Sequence, residues 1–193
     1  MSLKKISLIL MIATLYGCAA ALVPSTDDPQ EKLLWSYQLM DVGRALPAER
    51  LQLEALAIYT SEGNYLGEGN AYKALCLLYR SSAYRAAEKI YRKQGTYDPT
   101  YTKSIEFCEK SAEAYRRGED LWGVSSALVG VADGYRSMGD NEKACATYKE
   151  SLATYKDPKA IFTGVVHGWN PKYATQEEML VALISQFCGE TVQ

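Results

Sequence analysis

The chain reads as all-α: a short α-solenoid of helix hairpins closed by a C-terminal capping helix. Three observations predict this. No β-alternation of useful length occurs in the 193 residues. Apolar residues recur at three- and four-residue spacing, in blocks separated by Gly, Pro, Asn and Asp. The chain also repeats itself. A shift of 56 residues places Tyr59 on Tyr115, Gly67 on Gly123, Ala71 on Ala127, Tyr79 on Tyr135, Arg80 on Arg136 and Ser81 on Ser137. Matches concentrated in one 23-residue window mark a duplicated helical unit.

Taken in order, the helices start and stop at recognisable signals. Asp28 is an N-cap, Pro29 sits at N1 and Glu31 at N3, so a helix begins there and stops near Gly43. A second begins around Pro47, carries Leu51, Ala55, Ile58 and Tyr59 on one stripe, and ends at Gly63-Asn64. From Tyr65 to about Gln94 the periodicity predicts one long helix, with a break at Ser81-Ser82 as the alternative. Residues 95–99 are a turn, and residues 100–117 are helical with Ile105, Cys108, Ala112 and Tyr115 on one face. Gly118-Glu119-Asp120 breaks that helix. Helices over 121–138 and 140–156 follow, separated by Gly139. Residues 157–172 hold Pro158, Gly164, Gly168 and Pro171 and read as a loop. Thr175 and Glu178 cap a final helix that ends at Gly189.

The second copy of the unit resembles a tetratricopeptide repeat. Val131-Ala132 stand in the Leu-Gly positions, Tyr135 in the aromatic position of helix A, and Gly139-Asp140 form the turn. Ala144, Tyr148 and Ser151 then take the small, aromatic and small positions of helix B. The spacing around residues 118–123 looks like a roughly 40-residue variant of that repeat. The likeness covers 112–158 closely and 53–82 more loosely. It departs at Lys156, which takes the final proline position, and in the 56-residue spacing, which implies an extended first helix A or an insertion. The resemblance implies a packing role for the repeated tyrosines, and a partner-binding concave face on helix A. That face is Asn70, Lys73, Leu77 and Arg80 in the first copy, and Ser126, Val129, Asp133 and Arg136 in the second. Lys73, Arg80 and Arg136 make it mildly basic, which suits an acidic peptide or a C-terminal carboxylate.

Lys4 and Lys5, a short apolar run over residues 6–14, and Leu15-Tyr16-Gly17-Cys18 resemble a bacterial lipoprotein signal. About nine apolar residues are too few to cross a bilayer core of about 30 Å. The resemblance implies a signal peptide over 1–17, a lipidated Cys18 opening a tether over 18–27, and a helical-repeat domain over 28–193. Ala19, rather than Asp, after the cysteine implies the outer membrane of a Gram-negative cell, with the domain facing the periplasm. An ordinary secretory signal cut after residues 19–21 is the alternative.

Removing residues 1–17, which hold two lysines and no acid, takes the net charge from −2 to −4. No basic block is present, so nucleic acid is not an expected partner. Cys76, Cys108, Cys145 and Cys188 permit two disulfides in three connectivities. Buried free thiols are the favoured reading, since a core of this size does not need staples. His167 stands alone. No Ser/His/Asp set, metal cluster or phosphate loop occurs, so an enzyme is not expected and no cofactor is implied. The expected function is a membrane-anchored adaptor that binds another envelope protein. The alternatives are a periplasmic inhibitor or immunity-type lipoprotein, with Phe162 and Trp169 in a plug loop, and a carrier for a lipid.

Overall fold

The computed structural model describes residue 23, residues 25–160 and residues 172–189. The predicted signal peptide, Cys18, the plug residues Phe162 and Trp169, and the lone His167 lie outside them. The described residues form nine helices and no strand: α1 (Pro29–Asp41), α2 (Ala45–Ser61), α3 (Tyr65–Arg80), α4 (Ser82–Ala86), α5 (Glu88–Lys93), α6 (Thr102–Arg117), α7 (Leu121–Met138), α8 (Asn141–Tyr155) and α9 (Gln176–Cys188). Links of two or three residues fold α1 onto α2, α2 onto α3, α6 onto α7 and α7 onto α8, and α3 packs on α6. Contacts of α3 with α1 and with α7 place these three in one row, with α2, α6 and α8 behind them. The last helix, α9, packs on α8.

The 56-residue equivalence extends to the caps. Asn64 Oδ1 accepts from Gly67 N at 2.9 Å, and Asp120 Oδ1 accepts from Gly123 N at 2.9 Å. Asn64 N donates to Tyr59 O and Asp120 N to Tyr115 O, each at 2.9 Å, closing the preceding helix. Both turns need a left-handed residue. The first has Gly63 at φ +65°, but the second has Glu119 at φ +58°. In both copies a tyrosine ring lies on the glycine eight residues on. A Cβ at Gly67 would strike the Tyr59 ring, and one at Gly123 would lie 2.6 Å from Tyr115.

Tyr115 has a second such partner. A Cβ on Gly69 of α3 would also lie 2.6 Å from its ring. The fully buried ring therefore fills the space between α3 and α7 only because both bear glycine there. Gly134 receives Ile105, and Gly130 faces the sulfurs of Cys108 and Cys76. Those two cysteines form a disulfide between α3 and α6, with Cα atoms 5.2 Å apart, and Cys145–Cys188 forms another between α8 and α9, at 5.5 Å. The expectation of free thiols is thus corrected. Helices brought this close place the Cβ atoms within bonding reach.

The long helix expected over 65–94 is also corrected, and the break falls at Ser81. That residue is extended (φ −73°, ψ 161°), and its hydroxyl accepts from Tyr84 N at 3.1 Å. A serine that caps a new helix competes with continuation of the old one. Glu49 of α2 then links α3 to α5: it accepts from the Tyr79 hydroxyl of α3 and, at 2.7 Å, from the Tyr91 hydroxyl of α5. Tyr84 packs among Tyr79, Tyr91 and Tyr97 at ring separations of 5.0, 4.6 and 5.3 Å. Tyr79 is buried, as are Tyr59, Tyr115 and Tyr148.

Two substitutions in one turn are expected to act in opposite directions. Gly123→Ala gains helix propensity of at most ~1 kcal/mol but overpacks a ring pinned on both sides, at a cost of about 1–3 kcal/mol. The variant should lose roughly 1–2 kcal/mol in urea unfolding. Glu119→Gly removes a left-handed exposed side chain and should gain roughly 0.5–1 kcal/mol. A rise in Tm for Gly123→Ala would refute the pinned-ring account.

Candidate functional site

The row of α1, α3 and α7 leaves one face of α3 and α7 looking towards α9, and a groove of about 310 Å³ opens there. Lys73, Leu77 and Arg80 line it from α3, and Ser126, Val129, Gly130, Asp133 and Arg136 from α7. These residues recur at three and four positions, so they share a helix face. Tyr173, Gln176, Met179 and Leu183 line it from α9 and its lead-in. Every residue expected on the partner-binding face borders this groove except Asn70. Its Oδ1 instead accepts from the Tyr115 hydroxyl at 2.7 Å, so it serves the Tyr115 joint. The α9 residues were not expected. Their stripe at 176, 179 and 183 is visible as helical spacing, but nothing local says what it faces.

Close packing of α3 on α7 brings the charges together. Lys73 Nζ donates to Ser126 Oγ at 2.5 Å. Arg80 Nη1 donates to Gly130 O at 2.8 Å and lies 3.5 Å from Asp133 Oδ2. Asp133 Oδ1 takes Arg136 Nη2 at 3.3 Å and the Tyr148 hydroxyl at 2.5 Å. One carboxylate therefore serves two guanidiniums and a phenol. The side chains of Arg80 and Asp133 are only 20% and 25% exposed, so this pair is less screened than a surface ion pair. Desolvation, the neighbouring carboxylate and its hydrogen bond keep the Tyr148 phenol protonated well above the usual range. Burial lowers the Lys73 pKa to about 8; Arg80 adds to the effect and Asp120 opposes it.

Lys73, Arg80 and Arg136 against Asp133 leave the groove positively charged within a chain of net charge −2. Leu77, Val129, Met179 and Leu183 supply an apolar wall beside these charges. The arrangement can hold an anionic group next to an aliphatic one. Among the described residues no group of three His, Cys, Asp or Glu could hold a metal ion, and no helix is long and apolar enough to cross a membrane. No family model matches the chain, and neither a curated protein nor a solved structure does.

Lys73 gives the site a pH signature. The folded state releases its proton near pH 8, whereas an ordinary lysine does so near 10.5. Between these values the unfolded chain binds the extra proton, so Lys73 adds stability as the pH rises from about 8 to about 10.5. Denaturant unfolding of the native chain and of Lys73→Met should show a difference that shifts towards the native chain over this window. A difference that stays flat across it would mean that Lys73 has an ordinary pKa.

Proposed function

We propose that this protein is a membrane-anchored helical-repeat adaptor of the tetratricopeptide type that binds an acidic segment of another cell-envelope protein. The observation that carries this reading is the groove between α3, α7 and α9. Lys73, Leu77 and Arg80 of α3 and Ser126, Val129, Asp133 and Arg136 of α7 line one cavity, with excess positive charge beside an apolar wall. A segment bearing a carboxylate and an aliphatic side chain complements both. Packing of α3 on α6, α6 on α7 and α7 on α8 is the arrangement that a short stack of repeats requires.

In this reading Cys18 carries the lipid, and the chain faces the periplasm from the outer membrane. The tether over 18–27 spans at most about 30–36 Å when extended, so the groove works close to the bilayer. No cofactor, nucleic acid or catalytic step enters the proposal. Polar side chains of the groove bond mainly to one another, which suits recognition.

The test is photo-crosslinking in the native cell from positions 77 and 129, which touch the groove without supplying its charge. Both positions should capture the same protein. Arg80→Glu and Arg136→Glu should each weaken binding of that partner by roughly tenfold or more, as expected when about 1.4 kcal/mol or more of charge pairing is lost. Capture of lipid alone would favour the carrier reading. Equal binding by the charge-reversed variants would sink the groove as the docking site.

A further inference from the structure

The groove's third wall is attached differently from the other two. The wall helices α3 and α7 are tied through α6, by the Tyr115 joint and by the Cys76–Cys108 disulfide, whose cysteines are 0% and 1% exposed. Among the described helices α9 packs chiefly on α8. Its N-terminal end is held by Gln176 Nε2 donating to Ser125 Oγ at 2.8 Å. Its C-terminal end is held by Cys145–Cys188, and both of those cysteines are half-buried. Between the two ends, Leu180 and Ile184 sit against Ala132, Ala144, Tyr148 and Leu152.

The residue beside Cys188 reaches the charged groove. Phe187 stacks on Tyr148 at a ring separation of 6.3 Å, and Arg136 lies over Phe187 at 4.6 Å. Tyr148 and Arg136 both bond Asp133, which also holds Arg80. A contiguous set of contacts thus runs from the disulfide to the groove's charges. A helix of 13 residues does not hold its shape alone in water, so its order depends on being docked.

We propose that α9 is the movable arm of the groove, and that the thiol–disulfide state of Cys145–Cys188 sets how firmly the arm is closed. A small dithiol or a dithiol protein is the reductant. Its thiolate attacks one sulfur and the Cys145–Cys188 bond breaks. The reductant's second thiol then displaces that sulfur and closes a disulfide of its own. Two electrons and two protons pass to Cys145 and Cys188, which become thiols. The released C-terminal end carries Phe187 away from Arg136 and Tyr148, and Leu183 away from the apolar wall. Access to the two pairs differs, so Cys145–Cys188 reduces first while Cys76–Cys108 keeps the α3–α6 joint closed. This rests on the groove reading only for what the arm closes upon.

The experiment uses the whole mature chain. Dithiothreitol is added, samples are trapped with a maleimide over time, and the labelled cysteines are mapped by mass spectrometry. Cys145 and Cys188 should be labelled at least about tenfold faster than Cys76 and Cys108. At that stage, hydrogen exchange over residues 176–188 should rise by roughly tenfold or more, as expected when a loop constraint of this length is lifted. Exchange in α3 and α7 should stay unchanged. The Cys145→Ser/Cys188→Ser variant should reproduce this exchange pattern without reductant; if it does not fold, the partly reduced native chain decides. Equal reduction of both pairs, or unchanged protection of α9 after reduction, would overturn the proposal. A short acidic peptide serves as the separate binding probe. If α9 loosens but the peptide binds neither form, the arm stands and the groove's assigned occupant falls.

Discussion

Tyr115 seated between Gly69 and Gly123 sets the spacing on which the rest of this structure depends. A tyrosine ring normally holds two helices apart. Here the missing Cβ atoms on both sides let the ring fill the gap while α3 and α7 approach each other. Its hydroxyl is satisfied by Asn70, so the buried phenol carries no unpaired donor. The same device recurs along α7, where Gly130 admits the Cys76–Cys108 sulfurs and Gly134 admits Ile105. Each glycine sacrifices up to about 1 kcal/mol of helix propensity, and the buried ring or sulfur pair it admits more than offsets that.

The groove is a consequence of that spacing. Only because α3 and α7 lie close can Lys73 reach Ser126, and Arg80 reach both Gly130 O and Asp133. Closeness also creates a repulsion problem. Two like charges about 4 Å apart in a partly desolvated setting repel by roughly 4 kcal/mol, against about 1 kcal/mol in bulk water. Asp133 resolves it for Arg80 and Arg136 by lying between them, and the Tyr148 hydroxyl fixes where that carboxylate points. Lys73 is buried beside Arg80, and burial first and that like charge second lower its pKa, with Asp120 opposing them.

The short pair α4 and α5 shows how the helix stack accommodates extra chain. It leaves α3 at Ser81 and leads into α6 behind the row, while α3 and α6 still pack as direct neighbours. Glu49 ties it down through the Tyr91 hydroxyl of α5 while also accepting from Tyr79 of α3, and the tyrosine cluster around Tyr84 gives it a small core of its own. The 56-residue spacing is therefore a shorter hairpin plus this excursion. The excess length does not disturb the inner row that carries the groove.

Helix class, most helix ends and the inner face of α3 and α7 were readable without coordinates, because each is a local property. Caps such as Asp28, Asn64 and Asp120 act within three residues, and a face at three- and four-residue spacing follows from 3.6 residues per turn. The duplication of Tyr59–Gly67 in Tyr115–Gly123 was readable too, as both contacts lie inside one hairpin. The break at Ser81 was ambiguous, since apolar periodicity runs on through α4 and α5 and only the docking to Glu49 decides between bending and continuing. Tertiary structure alone settled the rest. The cysteine pairing needed two Cα–Cα approaches under 6 Å between residues 32 and 43 positions apart. The third wall of the groove needed α9 to return across residues that are distant in sequence. Asn70 left the predicted face for the same reason: its amide is claimed by a tyrosine 45 positions away, a distance over which sequence spacing carries no geometric information.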